Sequence, residues 1–144
     1  AIMFAVAIFL AFSTGTSWGT FAILVPIVVP MFAGQNMEMM IISVSAVLAG
    51  AVCGDHISPI SDTTVMSSAG AQCNHINHVS TQMQYAAVVA IVCVFGYLFA
   101  GLVKIWWLST GVSIIALLIV LTIMKKINAD KPEDAGAAKA SAEA

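Results

Sequence analysis

The residues best suited to chemistry lie together between positions 54 and 64, in the run Gly54-Asp55-His56-Ile57-Ser58-Pro59-Ile60-Ser61-Asp62-Thr63-Thr64. Two carboxylates, an imidazole and four hydroxyls stand here inside otherwise apolar sequence. Pro59 removes a backbone donor and interrupts any helix drawn through it. Gly54 can close the preceding half-helix with a left-handed cap, and Ser61 or Asp62 can cap the next one. The half-helix that ends here turns its partially negative carbonyl end toward the break, which suits a cation. Free carbonyls, hydroxyls and carboxylates form the oxygen-rich donor set that hard cations prefer. Asp55 and Asp62 are therefore the expected ligands for Na⁺. A carboxylate in such a pocket can hold a proton or a metal cation, and competition for one site gives exchange if the empty, charged site reorients reluctantly. No cofactor is expected beyond the transported Na⁺ and H⁺. On the plainer alternative, Asp62 is only a helix cap and Asp55 a loop carboxylate at the interface. Ionisable residues inside membrane segments favour the functional reading. His56 reads either as a proton relay or as a structural donor.

A second polar island, Ser13-Thr14-Gly15-Thr16-Ser17-Trp18-Gly19-Thr20, carries hydroxyls at five of its eight positions. Gly15 and Gly19 permit unusual backbone angles. The island is expected to be a hinge whose hydroxyls and carbonyls face an ion or substrate; close packing through small residues is the alternative. Cys73, His75 and His78 have spacing that could hold zinc. No fourth ligand is near, and the stretch reads better as a polar loop. A nucleophilic serine, Ser58 or Ser61 activated by His56, would make an intramembrane hydrolase, but adjacency in sequence is not specific for that chemistry.

The elements that position these groups belong to a membrane protein. Of 144 residues, 60% are hydrophobic, and Lys+Arg number 5 against 7 Asp+Glu. Lys125, Lys126, Asp130, Lys131, Glu133, Asp134, Lys139 and Glu143 hold most of that charge, which leaves Glu38, Asp55, Asp62 and Lys104 for the first 124 residues. Such a chain cannot cover a soluble globule with polar surface, and it lacks the clustered basic residues of a nucleic-acid binder. The apolar opening lacks the flanks of a signal peptide. We expect the C-terminal part of a longer polypeptide, whose N-terminal half is the first partner alongside the lipid bilayer. Cys53, Cys73 and Cys93 imply no disulfide framework.

Two stretches of about 20 apolar residues, near 83–103 and 106–124, read as a two-span helical hairpin turned at Lys104 and Ile105. Trp106 and Trp107 would sit at headgroup level, and Lys125 and Lys126 would place the C-terminus in the cytoplasm. Residues 128–144, rich in Ala and charge, read as a disordered cytoplasmic tail that follows a transmembrane domain of residues 1–127. Residues 1–33 and 39–70 each run apolar, polar with helix breakers, then apolar. That is the pattern of a re-entrant hairpin or a discontinuous helix, tolerated at membrane depth only where it is buried or lines a cavity. Gly15, Gly19, Gly54 and Pro59 are the expected structural breaks. Pro26 and Pro30 read as kinks.

At FSTGTSWGTFAILVPIVVP, AVLAGAVCGDHISPISDTTVMSSAGAQCNHINHV and the following QMQYA, the sequence resembles the NhaC family of sodium/proton antiporters. The resemblance covers about residues 12–103. It implies an all-α transporter of two inverted repeats, of which this chain holds the C-terminal one, with hairpins and broken helices meeting near the midplane. Carried over by position, Asp55, His56, Ser58, Ser61, Asp62 and Thr63 would lie at the transport site, with Ser13, Thr14, Thr16 and Ser17 opposite them. The implied activity is exchange of Na⁺ for H⁺ across the cell membrane by alternating access. The competing reading is a Na⁺- or H⁺-coupled carrier of a small organic anion such as malate, lactate or an amino acid. The chain contains no Arg to clamp a carboxylate, which favours the cation-only reading. A second copy of the chain is a further candidate partner.

Overall fold

The computed structural model describes residues 1–34, 36–103 and 106–129. Six helices follow one another: α1 (Ile2–Thr14), α2 (Ser17–Phe32), α3 (Met37–Ile57), α4 (Asp62–Gly70), α5 (His75–Val103) and α6 (Trp106–Ala129). No strand occurs among the described residues. Helices α3, α5 and α6 are each long and apolar enough to cross a bilayer, so the chain is a multi-pass, all-α membrane protein. At 16 residues, α2 measures only about 24 Å, short of the roughly 30 Å hydrocarbon core.

Both apolar units break where the sequence is polar, by different local means. Gly15 takes a left-handed conformation at φ 68°, and its N–H returns to the Ala11 carbonyl. Thr16 is extended, and its hydroxyl accepts from the Gly19 N–H to cap α2. A left-handed glycine followed by an N-capping threonine turns the chain within two residues. The second break comes later than Gly54. Proline disfavours helical geometry in the residue before it, so Ser58, with ψ 128°, is extended and α3 runs on to Ile57. Gly54 is thus interior to α3, and Gly19 lies in the first turn of α2; neither interrupts a helix.

Helices α1 and α3 run parallel and almost touch. A Cβ built on Gly50 would lie 2.4 Å from the Phe4 carbonyl oxygen, and one on Gly54 would lie 2.3 Å from that of Ile8. The advance from Phe4 to Ile8 thus matches the advance from Gly50 to Gly54. Opposite the glycines stand Ala7 and Ala11, both fully buried. Small residues spaced four apart on each helix allow this approach of backbone to backbone. Helix α2 folds back along both: Leu24 and Val28 share one core cluster with Ala7, Ala11, Val47 and Ala51. The first unit is therefore a helical hairpin seated on α3.

Helix α5 passes α3 in the opposite direction, from a contact of His75 with Pro59 to one of Tyr97 with Ser45. It begins at His75, eight residues ahead of the expected span. Helix α6 packs on α5, with Gly96 set against Ser113, and continues into the first two residues of the expected tail. The expected hairpin turn at Lys104 and Ile105 and the tail from 130 onward lie outside the described residues.

Candidate functional site

Because α1 and α3 are parallel and in register, their breaks meet side by side. The Ser58 hydroxyl, fully buried, donates to the Phe12 carbonyl across 2.8 Å and joins the two units. Gly15 lies against Ile60; a Cβ there would stand 3.0 Å from the Ile60 carbonyl oxygen. Gly15 thus satisfies both a positive φ and a close approach. The C-terminal ends of α1 and α3 and the N-terminal ends of α2 and α4 converge on this spot. Partial negative and partial positive charges of four helix termini therefore face one another across it.

Asp55 brings a carboxyl group to the junction. It is 3% exposed, in the last turn of α3. Its Oδ1 accepts from the Ser61 hydroxyl at 2.7 Å. Ser61 has one proton, used on Asp55, so at its 2.8 Å contact with Thr63 it accepts. The result is a directed chain from Thr63 through Ser61 to the carboxylate. Ser61 occupies the N-cap position of α4 but makes no capping bond, because its hydroxyl is turned to Asp55. Asp62 instead accepts the Thr63 N–H at 2.7 Å and is exposed, as is Thr63.

Residues 1–102 match the Na⁺/H⁺ antiporter family. The chain belongs to that family. It is 47% identical over 125 residues to an uncharacterised protein of Haemophilus influenzae, across 87% of this chain and 24% of the relative. It is 29% identical over 94 residues to the malate-2H⁺/Na⁺-lactate antiporter of Bacillus subtilis, across 62% of this chain and 20% of that protein. The chain thus spans about a quarter or less of the length of these relatives. No solved structure matches it.

Within this antiporter-family chain, the other residues singled out in the sequence take various places. Ser13 and Thr14 are exposed and bonded to carbonyls of their own helix, Phe9 and Leu10. Thr16 caps α2, and Ser17 is half-buried in its first turn. The hairpin touches the second break through Phe12 and Gly15. His56 is exposed; its Nδ1 lies 2.9 Å from the Val52 carbonyl, and its own carbonyl accepts from Thr64. Ser58 and Ser61 are both fully buried, with their hydroxyls donated to Phe12 and Asp55 rather than to His56. That removes the nucleophile–base pair on which a hydrolase would depend, as befits a family of transporters.

Two contributors were missed in the sequence. Gly50 and Gly54 form a G-x-x-x-G pair in an apolar stretch, a recognised signal for close helix approach, here hidden by the reading of Gly54 as a cap. His75, weighed only for zinc, has both ring nitrogens engaged by protein groups, the Pro59 carbonyl and the Ser68 hydroxyl.

Proposed function

We propose that this chain forms part of the translocation path of a Na⁺/H⁺ exchanger, with Asp55 holding Na⁺ or a proton in turn. The observation that supports this most is a buried carboxylate where two helix breaks join. A charged, empty Asp55 is costly to carry through a low-dielectric barrier. Reorientation with either cation bound is cheaper, and that difference couples the two ions. Ser61, donating to its Oδ1 at 2.7 Å, holds the carboxyl in place at the junction. Length beyond this chain, as in the longer relatives, would supply the rest of the path, and Lys125 and Lys126 at the end of α6 support a cytoplasmic C-terminus.

A second reading is coupling of the ions to a small organic anion. The Bacillus subtilis relative, a malate-2H⁺/Na⁺-lactate antiporter, supports it, as do the N-termini of α2 and α4 at the junction. The deciding measurement uses the full-length protein in everted vesicles with an acidic lumen and a fluorescent pH reporter. Na⁺ alone is expected to alkalinise the lumen. A response that waits for malate or lactate would transfer the assignment to the organic-anion carrier.

Ser61→Ala is expected to raise the Na⁺ concentration for half-maximal exchange about tenfold, since a hydrogen bond to a charged group contributes about 1.5–3 kcal/mol. Without that donor the Asp55 carboxyl loses the partner that fixes its orientation. Ser61→Thr keeps the hydroxyl and should stay near the native value; equal values for both substitutions would remove Ser61 from the site.

A further inference from the structure

His75, the first residue of α5, ties three elements together at the edge of the break. Its Nε2 lies 2.8 Å from the Pro59 carbonyl oxygen and its Nδ1 3.0 Å from the Ser68 hydroxyl of α4. A carbonyl only accepts, so Nε2 carries the proton. In the neutral ring, Nδ1 and the Val65 carbonyl, 2.9 Å from the Ser68 hydroxyl, share its single proton. Pro59 stands between the two serines that matter most: Ser58, held to Phe12 of α1, and Ser61, held to Asp55. The intervening backbone is held by the turn bonds Ser58 N–H to Asp55 and Ser61 N–H to Ser58, at 3.1 and 3.3 Å. Pro59 has no N–H to add to them. The imidazole supplies a rigid outside restraint on this turn.

We propose that His75 is a positioning residue of the ion site: by holding the Pro59 carbonyl, it keeps Ser58 on α1 and Ser61 on Asp55 when the cation binds. This rests on the reading of Asp55 as the ion-binding carboxylate. The packing of α5 is a separate matter, served one turn further on by Val79, which is 7% exposed. The imidazole places its two nitrogens on opposite edges of a flat ring, so one side chain can serve Pro59 and Ser68 together. Gln offers an amide N–H that reaches a similar distance, Asn is one carbon shorter, and Leu has no donor.

The test uses the full-length protein in the same everted vesicles, with Na⁺ titrated against the pH reporter. His75→Leu is expected to raise the Na⁺ concentration for half-maximal exchange about tenfold, the upper end of what one neutral hydrogen bond contributes, with the maximal rate within about twofold of native. His75→Gln should recover most of that affinity and His75→Asn little of it. Val79→Ala serves as the packing control: its thermal midpoint in detergent should fall while its half-maximal Na⁺ concentration stays native. An unchanged Na⁺ requirement in His75→Leu overturns the proposal, as does a loss in which affinity, rate and thermal midpoint fall together. If His75→Leu does not accumulate in the membrane, the Gln and Asn variants decide, and equal Na⁺ requirements overturn it. Native protein that exchanges, beside His75 variants that match it, refutes this inference alone. Native protein without Na⁺-driven exchange refutes the ion-site reading and this inference with it.

Discussion

Asp55→Asn in the full-length protein is expected to abolish Na⁺-driven alkalinisation of everted vesicles, whereas Asp62→Asn should leave most of it. The two carboxylates looked alike in the sequence, but their surroundings differ. Asp55 is buried at the junction of α1 and α3 and takes a hydroxyl proton from Ser61. Asp62 is exposed in the first turn of α4 and bonds only the adjacent backbone N–H. An amide at 55 keeps the shape and can still accept from Ser61, so the fold should survive. It cannot bind a proton in exchange for a cation, and on the proposed reading it removes the carboxylate that would hold Na⁺. Loss of a charged ligand worth about 3 kcal/mol lowers affinity about 100-fold. At Asp62, which lies outside the buried junction, the expected change is a few-fold. Both variants would be read by the initial rate against Na⁺ concentration. The reverse ranking, with Asp62→Asn silent to Na⁺ and Asp55→Asn active, would move the site to the start of α4.

Gly54→Ala, like Gly50→Ala, should be among the most disruptive single methyl groups at the glycines described. The added carbon would sit 2.3 Å from the Ile8 carbonyl oxygen and 3.0 Å from the Ala11 Cβ. The closest of these atoms belongs to the backbone, so α1 and α3 must move apart. Overpacking of this kind typically costs about 1–3 kcal/mol. The movement would also stretch the Ser58–Phe12 bond and carry Gly15 away from Ile60, so exchange should fall along with stability. Gly111→Ala on α6 is the matched control, because nothing lies within 4 Å of its added carbon. There the higher helix propensity of Ala should make the change neutral or stabilising by up to about 1 kcal/mol. Thermal midpoints of the two variants in detergent make the comparison. A Gly54→Ala protein as stable as Gly111→Ala would show that α1 and α3 are not in backbone contact.

Much of the architecture was legible in residue order because it rests on rules that act within a turn or two. Hydropathy over about 20 residues marks spans, and a composition with so few charges leaves no other solvent for this chain. The breaks follow from local sterics: Gly15 takes the positive φ that other residues resist, and Pro59 bars helix at Ser58. The same rules misplaced the start of the second break at Gly54. A glycine that ends a helix and a glycine that admits a neighbouring backbone look identical until the neighbour is known.

What residue order determined, then, is an all-helical membrane chain with two interrupted units and a cluster of oxygen-bearing side chains at the second. Tertiary structure alone decided that the units lie parallel, so that Ser58 finds its acceptor 46 residues away on Phe12. It decided that Asp55 is enclosed while Asp62 faces outward, and that His75 reaches back 16 residues to Pro59. Caps, turns and periodicity are set by neighbours along the chain. Burial of a charge depends on which distant surfaces close over it, and here that is set by the contact of Ala7 and Ala11 with Gly50 and Gly54.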